Sequence, residues 1–235
     1  MSAHKATVCA ALAAAPPDYA PGTKEEYHAL TYGWLLGETA SRARGRTVPQ
    51  LWQDELVAPL GLEEELFCGM PTEQEPRVAT LYEAGEPTPP EDLDTQSVPY
   101  GLSPLGMWMN KTIARQTCQP ASNGIMSARA IAKHYAACLP GGVEGVELLP
   151  PSRLRIATTP DLNPETGEPS NFGLGYAIQG EPRADGINAF GHGGHGGSQG
   201  LGDPVERWAL GFTKNNFNGA ETLSTVITAL KDALA

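Results

Sequence analysis

The chain has 235 residues, 40% of them hydrophobic, enough apolar material for one large domain or two small ones and too much for wholesale disorder. Its 27 acidic and 16 basic residues leave a net charge of −11, a surface that repels phosphate, so nucleic acid and anionic membranes are poor expected partners. The 27 glycines and 21 prolines exclude a coiled coil, no G-X-Y period suggests collagen, and no apolar run approaches the roughly 18 residues of a membrane span.

An Ala-rich stretch at residues 3–15 reads as a helix stopped by Pro16-Pro17, and it lacks the apolar core and cleavage site of a signal peptide. Thr23-Lys24-Glu25-Glu26 has capping-box form and predicts a helix running to about Arg44, with Tyr27, Leu30, Trp34 and Leu35 at turns of one another and Gly45 as its stop. Arg42, Arg44 and Arg46 read as a solvated helix end. Thr47 caps a further helix whose Leu51, Trp52, Leu56 and Val57 share a face, ending at Pro59-Leu60-Gly61. Residues 84–105, rich in Pro, Glu and Asp, are expected to form a flexible excursion, followed by a short apolar segment from Leu105 to Ile113. Ser127 caps a helix carrying Ile131, His134, Tyr135 and Cys138, and Pro151-Ser152 opens a short one.

Beyond residue 170 the periodicity changes. Phe172 to Ile178 alternates and reads as a strand, as does Trp208 to Thr213, with a glycine cluster between them from Gly191 to Gly202. Residues 220–234 predict an amphipathic closing helix. Helices, then an antiparallel sheet, then a helix make an α+β fold in which helices flank the sheet. Cys9, Cys68, Cys118 and Cys138 are widely spaced with no C-x-x-C pair, which predicts free thiols and favours an intracellular location.

The run Gly191-His192-Gly193-Gly194-His195-Gly196-Gly197-Ser198-Gln199-Gly200 admits several chemistries. Residues 196–200 fit G-x-S-x-G, but that elbow needs a helix directly after the serine, and Leu201-Gly202-Asp203-Pro204 reads as a turn into a strand. His192 and His195 are spaced for a metal only on a helix, which the glycines forbid, so no metal is assigned. The remaining alternatives are a site strand, whose missing side chains let a ligand approach the backbone, and a glycine-rich hairpin packed under a helix. Tyr27 is either a core aromatic or a proton-handling group, the latter only where cations favour its phenolate.

Four blocks in order resemble the serine β-lactamase-related family, nearest its class C-like esterases and penicillin-binding-protein-like members. They are Pro21-Gly22-Thr23 with Tyr27 to Glu38; Pro59 to Leu62 with Gly69-Met70-Pro71; Ala121 to Arg129; and Phe190 to Gly200 with Asp203-Pro204 and Asn215. The resemblance covers nearly the whole chain outside 84–105. It implies acyl transfer: a serine in an S-x-x-K box attacks a carbonyl while the lysine and a tyrosine manage protons. By the same resemblance Tyr27 is the second-box tyrosine, with His28-Ala29 where x-Asn is usual. His192-Gly193-Gly194 is the third box lining the substrate, and the His195 N–H is an oxyanion donor. No cofactor is implied, and the substrate is a small ester, lactam or peptide.

One departure stands out. The family's S-x-x-K helix lies far upstream of the tyrosine, and only 26 residues precede Tyr27. Ser2-Ala3-His4-Lys5 fits the pattern by coincidence of two fixed positions. The expectation is therefore a single partial domain over 1–235, truncated at its N-terminus, with an unpaired sheet edge and apolar face. It would be the C-terminal part of a serine hydrolase, inactive alone, with an upstream segment or fused domain completing it. The alternatives are a non-catalytic binding or regulatory domain on the same scaffold, and an active chain using Ser198 or Ser2.

Overall fold

The computed structural model describes residues 3–83, 102, 104–180, 183, 186–217 and 221–234. Most of the expected excursion at 84–105, and Ser2, lie outside these residues. The chain forms two compact units. The first takes in the described chain up to Val78, the described residues from 102 to Ile125, and Leu162–Glu168; the second holds residues 79–83, Met126–Asp161 and the described chain from Pro169.

In the first unit, α1 (Ala3–Ala14) and α2 (Thr31–Arg44) precede α3 (Val48–Trp52), which continues through a π-helical turn, Gln53–Val57, into α4 (Ala58–Leu60). The cap predicted at Thr47 forms, and as a full capping box: its side chain accepts from the Gln50 amide and the Gln50 side chain accepts from the Thr47 amide. Gly61 ends the run in the left-handed conformation that glycine adopts without a Cβ clash. The box predicted at Thr23 does not form. The Thr23 hydroxyl donates to the Ala20 carbonyl instead, making a turn, and α2 starts only at Thr31. Tyr27 therefore lies in an irregular segment ahead of the helix. The arginine cluster is engaged rather than merely solvated: Arg42 pairs with Glu38, Arg44 with Glu55, and Arg46 with Asp54 and Glu55.

The first unit's core holds Val57, Leu60, Leu62, Leu66, Cys68 and Met70. Strand β1 (Leu66–Cys68) pairs with β3 (Gly124–Met126), and α5 (Leu105–Met109) and α6 (Thr112–Gln116) lie between them in sequence. An open apolar groove of about 330 Å³ runs between Tyr32, Leu36, Trp52, Leu56 and Pro120. On α2 beside it Tyr32, Leu35 and Leu36 are exposed.

The second unit is built on an antiparallel sheet of order β4-β5-β6-β7: β4 (Ala177–Gln179), β5 (Ala189–Gly193), β6 (Gln199–Asp203) and β7 (Trp208–Phe212). The strand expected from Phe172 forms only from Ala177. Gly175 takes a positive φ, and Phe172 makes a single bridge back to Ala177, so the alternating stretch turns before it pairs. Short β2 (Tyr82–Glu83) runs parallel to β8 (Asn216–Phe217).

Helix α7 (Ala128–Cys138), capped by Ser127 accepting from the Ala130 amide, lies directly on β6 and β7. A Cβ at Gly200 would come within 2.2 Å of the Tyr135 ring, and one at Gly211 within 2.1 Å of the Ala128 carbonyl. The glycines thus allow helix and sheet to touch backbone-close. The core beneath joins Ile131, Tyr135, Cys138, Leu139 and Phe190 to Leu154 of α8 (Pro151–Thr158), with Tyr176 set edge-on to Phe190 at 4.9 Å. Helix α9 (Glu221–Leu234) closes the chain with Leu223 buried. The arrangement is the expected α+β fold.

Candidate active site

Strand β5 carries the glycine cluster out of the core. Phe190 and Gly191 are buried, His192 is half-buried, and Gly193, Gly194 and His195 are exposed. Pairing with β4 ends at Ala177–Gly191, whereas pairing with β6 continues to Gly193–Gln199. Gly193 thus lies past the end of the β4 ladder.

The glycines here divide into two kinds. At Gly191 a Cβ would lie 2.1 Å from the Gly200 carbonyl oxygen, and at Gly196 it would lie 2.3 Å from the Phe217 ring, so packing alone demands both. At Gly193 the nearest atom would be Gln199 Cδ at 3.8 Å, and at Gly194 the Ser198 carbonyl at 3.5 Å; neither has a positive φ. Neither crowding nor backbone conformation demands glycine at these two positions. What their missing side chains provide is bare backbone open to a ligand.

The turn leaving β5 is fixed by its own amides. Gly194 N–H donates to the Ser198 carbonyl at 2.7 Å and Gly197 N–H to the Gly194 carbonyl at 2.9 Å. The Gly194 amide is thereby engaged, while the His195 N–H has no partner among the described residues. The His195 ring lies edge-on to Phe217 at 5.8 Å, with Nε2 3.6 Å from a Glu83 carboxylate oxygen. The His192 ring lies 6.0 Å from that of Phe172. A backbone hydrogen bond from His192 reaches the Tyr135 hydroxyl, whose pKa burial nevertheless pushes well above the ordinary tyrosine range.

Ser198 does not sit in a nucleophile elbow. It precedes strand β6 rather than a helix, and its hydroxyl is held at the end of β7, accepting from the Lys214 amide at 3.1 Å and donating to the Lys214 carbonyl at 3.4 Å. Of the residues singled out in the sequence, His192, Gly193, Gly194 and His195 come together at the end of β5. Tyr27 belongs to the other unit, where it is exposed near the start of α2. Its neighbour His28 shares a 3.0 Å hydrogen bond with Thr31.

Sequence reasoning missed Glu83, Phe172 and Phe217 as neighbours of this strand end. Glu83 and Phe217 are brought there by a two-residue parallel pairing across more than 130 positions, which no local pattern announces. Asp203, matched only as part of an Asp-Pro pair, proves to organise the β6–β7 turn. It is buried, accepts from the Val205 and Glu206 amides and forms a two-armed pair with Arg183. Burial disfavours its charge, but Arg183 and those amides outweigh that and hold its carboxyl below the usual range.

A family model described as Beta-lactamase matches residues 1–235. The chain is 33% identical over 230 residues to the esterase/beta-lactamase LipL of Mycobacterium tuberculosis, a match covering 87% of this chain and 51% of that protein. It thus spans about half the length of this curated relative. Among solved structures it is similar to EstA from Arthrobacter nitroguajacolicus Rue61a, at 25% identity and a TM-score of 0.80, covering 99% of this chain and 66% of that one. It is also similar to a family VIII carboxylesterase, at 26% identity and a TM-score of 0.76, covering 91% of this chain and 58% of that one.

Proposed function

Because the chain belongs to the Beta-lactamase family, we propose that it carries the tyrosine-box and third-box portion of a serine hydrolase that works by acyl transfer on small esters, with lactams and peptides as related substrates. The observation that carries this reading is the bare end of β5, where Gly193 and Gly194 lack side chains without any packing need for it. A substrate acyl group lies along that backbone, His192 lines it, and the His195 N–H donates to the oxyanion. Tyr27 handles protons once a lysine and serine stand beside it. The esterase names of LipL and the family VIII carboxylesterase favour esters as the substrate class.

The 235-residue chain is inactive by itself in this reading, and its S-x-x-K box comes from sequence outside it. In support, Lys5 of the coincidental pattern is held in an ion pair, its Nζ 3.0 Å from the Glu38 carboxylate and both side chains largely covered.

Two assays test this. The 235-residue chain should hydrolyse p-nitrophenyl butyrate no faster than buffer and take up no fluorophosphonate probe. A gene product extended upstream should show serine-dependent turnover. Probe labelling of the short chain that disappears in Ser198→Ala or Ser2→Ala would overturn the proposed inactivity. An extended product that neither turns over ester nor labels would leave the non-catalytic binding domain as the reading.

A further inference from the structure

Cys68 and Cys118 are 50 positions apart in sequence, yet their sulfurs lie 3.2 Å apart in the first unit. The juxtaposition is imposed by backbone rather than by the thiols. On one side of the pair the Met70 amide donates to the Arg115 carbonyl at 2.8 Å. Gly69, at φ +82°, passes so close that a Cβ there would sit 2.9 Å from the Cys118 amide nitrogen. On the other side Asn123, itself buried, clamps the segment around Cys118. Its Nδ2 donates to the Ala114 and Thr117 carbonyls, and its Oδ1 accepts from the Gln119 amide at 3.0 Å. Cys68 also points its thiol toward the same Asn123 oxygen, at 3.5 Å.

We propose that Cys68 and Cys118 form a redox site, closing reversibly into an intramolecular disulfide when hydrogen peroxide reaches Cys118. Cys68 is buried and Cys118 only partly so, which makes Cys118 the point of entry. The electrostatics favour the same order. The hydrogen bond from Cys68, helped by the nearby Lys5 charge, draws the Cys118 thiol down, while that bond and burial push the Cys68 thiol up. The Cys118 thiolate attacks one peroxide oxygen, the O–O bond breaks, and the departing hydroxide takes up a proton to leave as water. The Cys118 sulfenic acid is then attacked by the Cys68 sulfur. The S–S bond forms, the S–O bond breaks, and the released hydroxide takes the Cys68 proton. In sum two thiols and one peroxide give one disulfide and two waters, the sulfurs losing two electrons and the peroxide gaining them. The sulfurs must close to about 2 Å, a movement of about 1 Å that side-chain rotation supplies.

The experiment uses the reduced 235-residue chain. It is treated with hydrogen peroxide, alkylated, digested with trypsin and mapped by mass spectrometry. The expected product links the peptide spanning residues 47–77 to that spanning 116–129, and alkylatable thiols fall from four to two. Dithiothreitol restores all of them. In Cys68→Ser, dimedone should trap a sulfenic acid on Cys118, whereas in Cys118→Ser the Cys68 thiol should stay alkylatable. The oxidised chain should melt higher by about 5 °C or more, because the bond closes a long loop. Recovery of the two peptides unlinked after peroxide, or a link that involves Cys9 or Cys138 instead, would overturn the proposal.

Discussion

At the residue scale, the glycine run is a mixture of packing requirements and open backbone, and single substitutions separate the two. Gly200→Ala drives a methyl into the Tyr135 ring and Ile131, both held in the core, and should cost about 1–3 kcal/mol in urea unfolding. Gly194→Ala meets nothing closer than ordinary contact and should stay within about 0.5 kcal/mol of the parent. If the bare strand end is the substrate track, Gly193→Val in any extended product found to hydrolyse p-nitrophenyl butyrate should lower its kcat/KM about tenfold or more while leaving the melting temperature unchanged. A tenfold loss accompanied by an equal loss of folded protein would instead make Gly193 structural. Asp203 belongs to the same scale. Asp203→Ala strands Arg183 and frees two turn amides, an expected loss of about 2–3 kcal/mol, at the modest end because Arg183 keeps some solvent contact. The carboxyl's pKa is held down in the fold, so this stability is present above the ordinary carboxylate pKa and is lost as pH falls through the lowered one.

At the scale of elements, α7 makes a pH prediction. His134 is half-buried beside Tyr135, its Nδ1 is sealed from solvent with no partner among the described residues, and desolvation pulls its pKa down to about 4. The unfolded chain binds a proton near pH 6.5 that the folded chain refuses until about pH 4. Stability should therefore fall as pH drops across that window, by about 3 kcal/mol in all. His134→Leu should flatten the slope of urea midpoint against pH, and an unchanged slope would remove His134 as its source. Helix signals were legible where the cap and the apolar face agree, as at Thr47 and Ser127. They misled at Thr23, where a competing hydroxyl bond to Ala20 makes a turn and delays α2 to Thr31. Alternation in Phe172–Ile178 overstates β4, because it says nothing about the turn at Gly175.

At the scale of the whole molecule, the −11 charge should keep the protein from retaining DNA in a filter-binding assay at low salt, where any phosphate affinity is strongest. Retention there would reverse the exclusion drawn from composition. No described helix is long and apolar enough to cross a membrane. Among the described residues, Tyr32, Leu35 and Leu36 of α2 are exposed beside the groove lined by Trp52 and Leu56.

The amino-acid sequence by itself determined the α+β order of elements, the helix caps at Thr47 and Ser127, and the glycine run from Gly191 to Gly202 as either a site strand or a hairpin packed under a helix. These depend on local periodicity and on turn chemistry within a few residues. It also carried the family resemblance, since ordered blocks survive in a linear string. Tertiary structure alone decided which glycines are crowded and which are open, that Ser198 serves the β7 end rather than an elbow, and that Glu83 stands beside His195. It also decided that Cys68 meets Cys118. Each is a contact between segments far apart in the chain, set by how helices and strands pack, and no local pattern encodes such a distance.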